Sequence, residues 1–92
     1  MALATFRRKH LEELFVDGAT RRIDKRLHRK ITMILDVMNR AESLADIASL
    51  PGFHPLTGDR AGYHAVRITG NYRITFRVAG RHIYDVDFED YH

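Results

Sequence analysis

The clearest structural signal in the chain is the heptapeptide Tyr72-Arg73-Ile74-Thr75-Phe76-Arg77-Val78. Its apolar residues alternate with arginine and threonine, so the two kinds of side chain point to opposite sides of an extended backbone. This period of two is typical of a β-strand with one buried face. We therefore predict a strand with an apolar side and a basic side.

Two similar runs flank this strand, His64–Ile68 before it and His82–Phe88 after it. Turn residues lie between the runs, which predicts an antiparallel arrangement of three consecutive strands. A slip of one residue would exchange the two faces of a strand, so the alternation constrains the register. For this reason we predict three-residue loops at 69–71 and 79–81.

The predicted register sorts the side chains of the three strands onto two faces. On the apolar face the expected partners are Val66 with Ile74, Val86 with Ile74, and Tyr84 with Phe76. On the polar face Arg73 lies between Arg67 and Asp87, and we expect Arg73 to pair with Asp87 across the strands. The inner face of the last strand is expected to carry Tyr84, Val86 and Phe88.

The residues before the sheet carry helical signals. A helix is predicted from Arg7 with Gly18 as its C-cap, followed by a second helix that Thr20 caps. The second helix has an apolar stripe at three- and four-residue steps, made of Ile23, Leu27, Ile31, Ile34, Leu35 and Met38. A short third helix is predicted from Ser43 to Leu50, and Leu3–Phe6 can add a strand at the sheet edge.

These elements predict one α+β domain over residues 1–92. Its N-terminal helices pack on one face of a mainly antiparallel, three- to four-stranded sheet. With 92 residues the chain is just large enough for one core, and it has no cysteine, which excludes disulfides and thiolate metal sites. No run reaches transmembrane length and no signal-peptide core is present, so we expect a cytoplasmic protein.

The net charge of +3 is unevenly distributed. Residues 1–40 carry ten Arg or Lys against five Asp or Glu, whereas residues 41–92 carry a net charge of −2. The faces of the second helix outside the apolar stripe carry Arg22, Lys25, Arg26, Arg29 and Lys30, roughly a turn apart. They are either a solvated helix face or a contact surface for phosphate groups.

Candidate catalytic groups lie on the polar side of the sheet and at the end of the chain. A sheet covered on one face leaves Arg67, Arg73 and Arg77 on an open platform. The ending Asp90-Tyr91-His92 offers a carboxylate, an aromatic ring and an imidazole. His54 sits on restricted backbone before Pro55. No histidine spacing typical of a metal site is present, so we predict no metal.

Three segments in order resemble the HigB toxins, also called plasmid killer proteins, of the RelE-like superfamily. They are His54-Pro55-Leu56-x-Gly58-Asp59-Arg60, then Asn71-Tyr72-Arg73-Ile74-Thr75-Phe76, then Asp87-Phe88-Glu89-Asp90-Tyr91-His92. The resemblance spans essentially the full length of the chain. It implies a single RelE-like toxin domain over residues 1–92.

The resemblance also implies a function. Such a toxin is a ribosome-dependent endoribonuclease of a type II toxin–antitoxin system, which cuts mRNA at the decoding site by 2′-OH attack and needs no metal or other cofactor. Its expected partners are a HigA-like antitoxin with a helix-turn-helix fold, the 16S rRNA near the decoding site, and mRNA. A membrane partner is not expected.

The active-site positions implied by the resemblance are His54, Arg73, Asp90, Tyr91 and His92. Arg73 would neutralise charge on the phosphate, Tyr91 would stack on a base, and His92 would act as the acid. The base is either Asp90 or His54, and the order of the proton transfers stays open.

One position departs from the pattern, because Thr57 stands where many relatives carry lysine. Arg60 or Arg67 could supply the missing cation, and we count both with the RNA- and ribosome-binding candidates. Two rival interpretations remain. One is a ribosome binder with weak or no catalysis, and the other is a small protein-interaction domain with solvated charges.

Overall fold

The computed structural model of the protein describes residues 1–90. This part of the chain contains three α-helices: α1 (Lys9–Asp17), α2 (Lys25–Arg40) and α3 (Leu44–Ala48). It contains five strands: β1 (Ala2–Leu3), β2 (His54–Pro55), β3 (Tyr63–Arg67), β4 (Tyr72–Ala79) and β5 (His82–Asp90). A single 3₁₀ turn, Gly58–Arg60, lies between β2 and β3.

The strands form one sheet in the order β1-β5-β4-β3-β2. β1 runs parallel to β5, and the other neighbours are antiparallel. The predicted α+β fold with a mainly antiparallel sheet is therefore confirmed. The count of five strands exceeds the expected three to four because two-residue strands are added at the two edges.

The helices cover one face of this sheet, as predicted. The stripe of α2 is buried at Ile31, Ile34, Leu35 and Met38, and α1 buries Leu11 and Leu14. These side chains pack in one cluster with the apolar residues of β3, β4 and β5, namely Val66, Ile74, Phe76, Ile83 and Val86. Burial stabilises the fold by about 1.5–3 kcal/mol for each large aliphatic side chain.

The N-cap of α2 differs from the prediction. Asp24 caps the helix, and its carboxylate accepts the Arg26 backbone N–H at 2.9 Å. Thr20 lies in the preceding loop, where its hydroxyl oxygen accepts the Arg22 backbone N–H at 3.3 Å. Threonine and aspartate both cap helices well, and the negative charge of Asp24 also complements the dipole at the N-terminus of α2. The C-cap of α1 is Gly18, with φ 80°, as predicted.

The first hairpin has the predicted register. Val66 pairs with Ile74 and Arg67 with Arg73, and the Ile68 N–H donates to the Tyr72 carbonyl at 2.9 Å. The loop therefore consists of residues 69–71. The requirement that apolar side chains share one face was enough to determine this turn.

The predicted loop of the second hairpin was wrong. Ala79 pairs with His82 and Val78 with Ile83, so the loop has two residues, Gly80 and Arg81. Gly80 has φ 60° and occupies the first loop position, where a type II′ turn requires glycine. Such two-residue loops match the twist of the flanking strands and are therefore favoured.

A β-bulge then restores the alternation. The register shifts between Thr75 and Arg77 of β4, opposite the segment of β5 that contains Asp85 with φ 56°. Before the bulge Ile83 is buried, and after it Val86 is buried, three residues later instead of two. Asp is among the few residues other than Gly that adopt this left-handed conformation at modest cost.

The bulge overturns three predicted pairings on β5. Tyr84 lies opposite Arg77, and it is Ile83 that takes the inner position expected for Tyr84. Ile74 lies opposite Phe88 in place of Val86. The expected pair of Arg73 with Asp87 does not form, because Arg73 lies opposite Glu89 and Asp87 binds Arg8, whose Nε is 2.7 Å away.

Within residues 1–90, no helix is long and apolar enough to span a membrane.

The bulge geometry predicts an inverted order of stability for two variants at one position. Asp85→Gly and Asp85→Ala remove the same carboxylate, but only alanine is strained at positive φ, by about 1–2 kcal/mol. We expect the glycine variant to be the more stable of the two by about 1 kcal/mol in urea unfolding. At an ordinary strand position glycine is instead about 0.5–1 kcal/mol less stable than alanine. Ala79→Gly on β4 is the matched control and should show that ordinary order, whereas equal or greater stability of Asp85→Ala would contradict the bulge.

Candidate active site

The sheet face that points away from the helices, called here the outer face, carries three rows of side chains. Each row crosses β3, β4 and β5 and is fixed by the observed register. The arginine row is Arg67, Arg73 and Glu89; the middle row is Ala65, Thr75 and Asp87; the tyrosine row is Tyr63, Arg77 and Tyr84. The outer face is therefore polar and rich in arginine, as the alternation of β4 predicted.

Glu89 is the centre of the arginine row. Its carboxylate accepts from the two terminal nitrogens of Arg60, with Nη1 at 2.9 Å and Nη2 at 2.6 Å. It also accepts from Arg73, with Nη2 at 3.1 Å and Nε at 3.3 Å, and from the hydroxyl of Thr75 at 2.8 Å. Two guanidinium groups thus meet on one carboxylate.

These contacts keep Glu89 ionised. The hydrogen bond from Arg60 contributes most, with help from Thr75 and Arg73, and lowers the pKa of Glu89 from 4.5 to about 2, although burial opposes the shift. With two cations and one anion the cluster carries one net positive charge at neutral pH. Arg73 and Glu89 are only 18% and 16% exposed, whereas Arg60 is 37% exposed. The positive charge is thus partly shielded from water, which strengthens its action on an anion.

Arg60 reaches this cluster from the 3₁₀ turn Gly58–Arg60. Gly58 has φ 65°, a conformation natural for glycine, and the turn directs Arg60 back over the sheet. Thr57 precedes the turn and is exposed. Of the two cations considered as substitutes for the missing lysine, Arg60 is the one that shares a carboxylate with Arg73.

Arg67 points toward the segment before β2. A Cβ at Gly52 would lie 2.5 Å from the Arg67 Cβ and 3.3 Å from its guanidinium carbon, so the arginine lies directly over this glycine. The Arg67 backbone N–H also donates to the Pro51 carbonyl at 3.3 Å. Arg67 is exposed and connects the arginine row to the chain that leads into His54.

His54 lies on β2 opposite Ala65 and is exposed. Its Nδ1 is 3.0 Å from the Gly52 carbonyl. A carbonyl only accepts, so Nδ1 carries the hydrogen and Nε2 is the unprotonated nitrogen of the neutral ring. β2 is two strands away from β4, roughly 10 Å. His54 and Arg73 therefore flank a space on the outer face without touching.

Asp90 follows Glu89 directly, at an exposed position of β5 opposite Tyr72. It is the last described residue, and it directly follows Glu89 of the arginine row. Tyr91 and His92 lie outside the described residues, and their roles stay predictions. The stacked rings of Tyr72 and Phe88, 5.1 Å apart, anchor this end of β5.

The basic residues of the helical half lie elsewhere. Lys25, Arg26, Arg29 and Lys30 belong to α2 and Arg22 to the loop before it, so they are not grouped with the arginine row. All five are exposed. Arg26 is bound by Asp24, with Nη2 2.7 Å from the carboxylate, and this pair lowers the pKa of Asp24 to about 2.

Sequence reasoning missed three contributors to the outer face. The sequence indicates Glu89 only as part of the terminal motif, and it predicts Arg7 and Arg8 at the start of a helix. In the structure α1 begins only at Lys9, and Arg7 and Arg8 reach the outer face, where they bind Tyr63 and Asp87. Asp87 and Glu89 are two residues apart on one strand, so the alternation places both on the outer face. It does not tell which of the two lies opposite Arg73, because a bulge shifts the register.

No cluster of three His, Asp or Glu side chains suited to a metal ion occurs among residues 1–90.

The fold is a helix-covered, mainly antiparallel sheet with two arginines beside its C-terminal strand, and comparison with known proteins assigns this fold to the RelE-like class of toxins. Residues 4–92 match the family described as the RelE-like toxin of the type II toxin–antitoxin system HigB. The chain belongs to this family, so the resemblance seen in the sequence is confirmed.

Individual relatives agree with this assignment. The chain is 31% identical over 91 residues to Endoribonuclease HigB of Proteus vulgaris, covering 98% of this chain and 99% of the relative. A YoeB/ParE toxin from Agrobacterium tumefaciens has the same fold with TM-score 0.70 and 27% identity, with complete coverage of both chains. The toxin chain of a YoeB–YefM complex from Staphylococcus aureus shares the fold at TM-score 0.66 and 22% identity, covering 100% of this chain and 99% of that one.

The depressed pKa of Glu89 predicts a specific dependence of stability on pH. The ionised carboxylate contributes fully above pH 4.5, and its contribution is lost as the pH falls toward about 2, where the folded protein takes up the proton. We expect Glu89→Gln to be less stable than the unmodified protein at neutral pH, with the difference shrinking between pH 4.5 and 2. Urea unfolding across this range measures it. Glu42→Gln, on an exposed turn, is the control, and a pH-independent difference at position 89 would contradict the assignment.

Proposed function

We propose that this toxin cleaves mRNA in the ribosomal decoding site, without metal, by attack of the 2′-OH on the adjacent phosphodiester. The observation that carries the proposal is the pair of Arg60 and Arg73 on Glu89, a partly exposed cluster beside the end of β5. Family membership and the name of the Proteus vulgaris relative, an endoribonuclease, support the same chemistry.

The reaction needs two proton transfers and stabilisation of charge. The 2′-oxygen forms a bond to phosphorus and the bond from phosphorus to the 5′-oxygen breaks, giving a 2′,3′-cyclic phosphate and a 5′-hydroxyl. A base takes the proton of the 2′-OH and an acid protonates the leaving 5′-oxygen. Because the nucleophile already lies beside the phosphate, holding it in line is a large part of catalysis.

Arg73 and Arg60 suit the phosphate. Guanidinium groups bind phosphate oxygens through paired N–H donors, and Glu89 fixes the two groups before the substrate arrives. Positioned donors that need no reorganisation stabilise the negative charge that builds up in the transition state. The one net positive charge of the cluster is available to stabilise this negative charge.

The proton transfers fall to the flanking residues. His54 presents Nε2 as an acceptor and is one candidate base, and Asp90 is the other. His92 is the proposed acid and Tyr91 the proposed stacking ring, both from the family motif at the chain end. With so few groups, the enzyme depends on the ribosome to hold the mRNA in a cleavable conformation.

The proposed partners follow from the same reading. Ribosomal RNA near the decoding site would bind the exposed cations of α2, and mRNA would bind the outer face. A HigA-like antitoxin with a helix-turn-helix fold would neutralise the toxin. The family description supports an antitoxin partner, because it names the toxin of a type II toxin–antitoxin system. The cytoplasm, where ribosomes translate, is the proposed location.

The catalytic proposal predicts large losses of activity without loss of folding. Arg73→Lys keeps the charge but not the paired donors, so we expect at least a tenfold loss of mRNA cleavage in a cell-free translation reaction. Deleting His92 removes no described core residue and should lower cleavage by roughly a hundredfold. Growth after induction should recover in parallel.

Arg81→Gln, in the hairpin loop, serves as the control for a lost arginine and should cleave at the normal rate. Ribosome co-sedimentation separates the rival readings. If the Arg73 and His92 variants cleave and inhibit growth as the unmodified protein does, catalysis by this site is excluded. A protein that binds ribosomes but never cuts mRNA would support the non-catalytic ribosome binder.

A separate prediction concerns the helical half. Reversing Arg29 and Lys30 to glutamate should weaken ribosome binding and reduce the slope of log affinity against log salt by about two, since each phosphate contact contributes about one. The matched control reverses Lys9 and Arg81, which are exposed and lie outside α2, and gives the same change in net charge. Equal binding of both double variants at every salt concentration would assign the α2 cations to the solvated face of the helix.

A further inference from the structure

The far end of the outer face holds a second group of cations and rings, of which the proposed chemistry uses only Arg60. The Arg77 guanidinium lies over the Tyr84 ring, 4.7 Å from its centroid. Arg7 and Arg60 lie 5.8 Å and 5.7 Å from the centroid of Tyr63. Arg77 is 42% exposed, and both tyrosines are partly exposed.

Hydrogen bonds hold this group in place. The Tyr63 hydroxyl accepts from Arg7 Nη2 at 3.2 Å and donates to Asp85 at 2.8 Å. Asp85 also accepts from Arg77 Nε at 2.9 Å. Arg77 thus binds the Asp85 carboxylate directly, whereas Arg7 is connected to it through the Tyr63 hydroxyl. With two arginines and one aspartate, this group carries one net positive charge. Asp85, which shapes the bulge, therefore also positions Arg77 and Tyr63.

The two ends of the outer face form one continuous surface. Arg60 contacts both, because its guanidinium binds Glu89 and also lies near the Tyr63 ring. Arg73 and Arg77 are four residues apart on β4, roughly 13 Å along the strand. A polyanion held at Arg73 therefore reaches Arg77 by running along β4.

The chemistry of the tyrosine row suits single-stranded RNA. Bases stack on aromatic rings and on guanidinium planes, and such stacking tolerates any sequence because every base has a π-face. The stacked pair of Arg77 on Tyr84 presents both kinds of surface. Arg7 adds a cation for a backbone phosphate.

We propose that the tyrosine row, together with Arg7, binds the nucleotides of the mRNA next to the phosphate held at the arginine row. The inference rests on the proposed function for its ligand, a single RNA strand. It assigns the tyrosine row to substrate binding and leaves bond cleavage to the arginine row and the chain end. We therefore expect substitutions in the tyrosine row to lower the affinity for the RNA substrate.

Tyr84→Leu and Tyr84→Phe form the matched test. Leucine keeps an apolar side chain but has no ring, whereas phenylalanine keeps the ring and loses only the hydroxyl. Binding of each full-length protein to a fluorescent single-stranded oligoribonucleotide is measured directly, without ribosomes. We expect Tyr84→Leu to bind about tenfold more weakly and Tyr84→Phe to bind as the unmodified protein does, since one stacked base is worth about that much. Equal binding by Tyr84→Leu, or no binding by the unmodified protein, overturns the proposal.

A second measurement separates this proposal from the proposed function. In ribosome-bound cleavage, Tyr84→Leu should raise KM for mRNA several-fold with kcat within about twofold, and a loss confined to kcat overturns the binding role. Arg7→Gln changes an exposed residue and should lower the salt slope of oligoribonucleotide binding by about one. An unchanged slope removes Arg7 from the site. Failure of the proposed function would appear differently, as absence of cleavage by the unmodified protein whatever its affinity for RNA.

Discussion

The β-bulge at Asp85 is the constraint on which the outer face depends. The two-residue loop at Gly80 and Arg81 suits the twist of a hairpin, but continued without interruption it would set Arg73 opposite Phe88. One inserted residue resolves the conflict, so that Ile74 meets Phe88 and Arg73 meets Glu89. The local strain of a non-glycine residue at positive φ is offset because Asp85 binds Tyr63 and Arg77, and its N–H donates to Thr5 at 2.8 Å.

The corrected register determines the electrostatics of the site. A carboxylate shared by two arginines gives little stability over an apolar cluster of the same size, although removal of the carboxylate alone is destabilising because it leaves the two arginines without their counter-ion. Its consequence is positional, since Arg60 and Arg73 are held at one point of the sheet with their side-chain entropy already lost. In the proposed reaction, a phosphate would therefore bind to groups that need no rearrangement. Asp85 plays a related part at the other end of the outer face, where it binds Arg77 and the Tyr63 hydroxyl.

Most of the fold was predictable because it follows from periodicity. The alternation of β4, the apolar stripe of α2 and the turn at 69–71 each have one arrangement that buries the apolar side chains. The second hairpin was not predictable, because a three-residue loop and a two-residue loop with a bulge both satisfy that requirement for β4. Arg73 was placed on the correct face, but its partner shifted from Asp87 to Glu89. A single aspartate in a strand carries too weak a signal to reveal a bulge.

The departure at Thr57 has a structural counterpart in Arg60, which shares the Glu89 carboxylate with Arg73. A lysine would place a flexible ammonium group there, whereas this chain has a neutral hydroxyl before a 3₁₀ turn. Three residues later the turn ends at Arg60, whose side chain is long enough to reach Glu89 across the sheet. Arg60 is also a better phosphate ligand than lysine in geometric terms, because its planar donors can bind two oxygens at once. In the proposed mechanism Arg60 therefore supplies the positive charge from a different position in the chain and would approach the phosphate from a different direction.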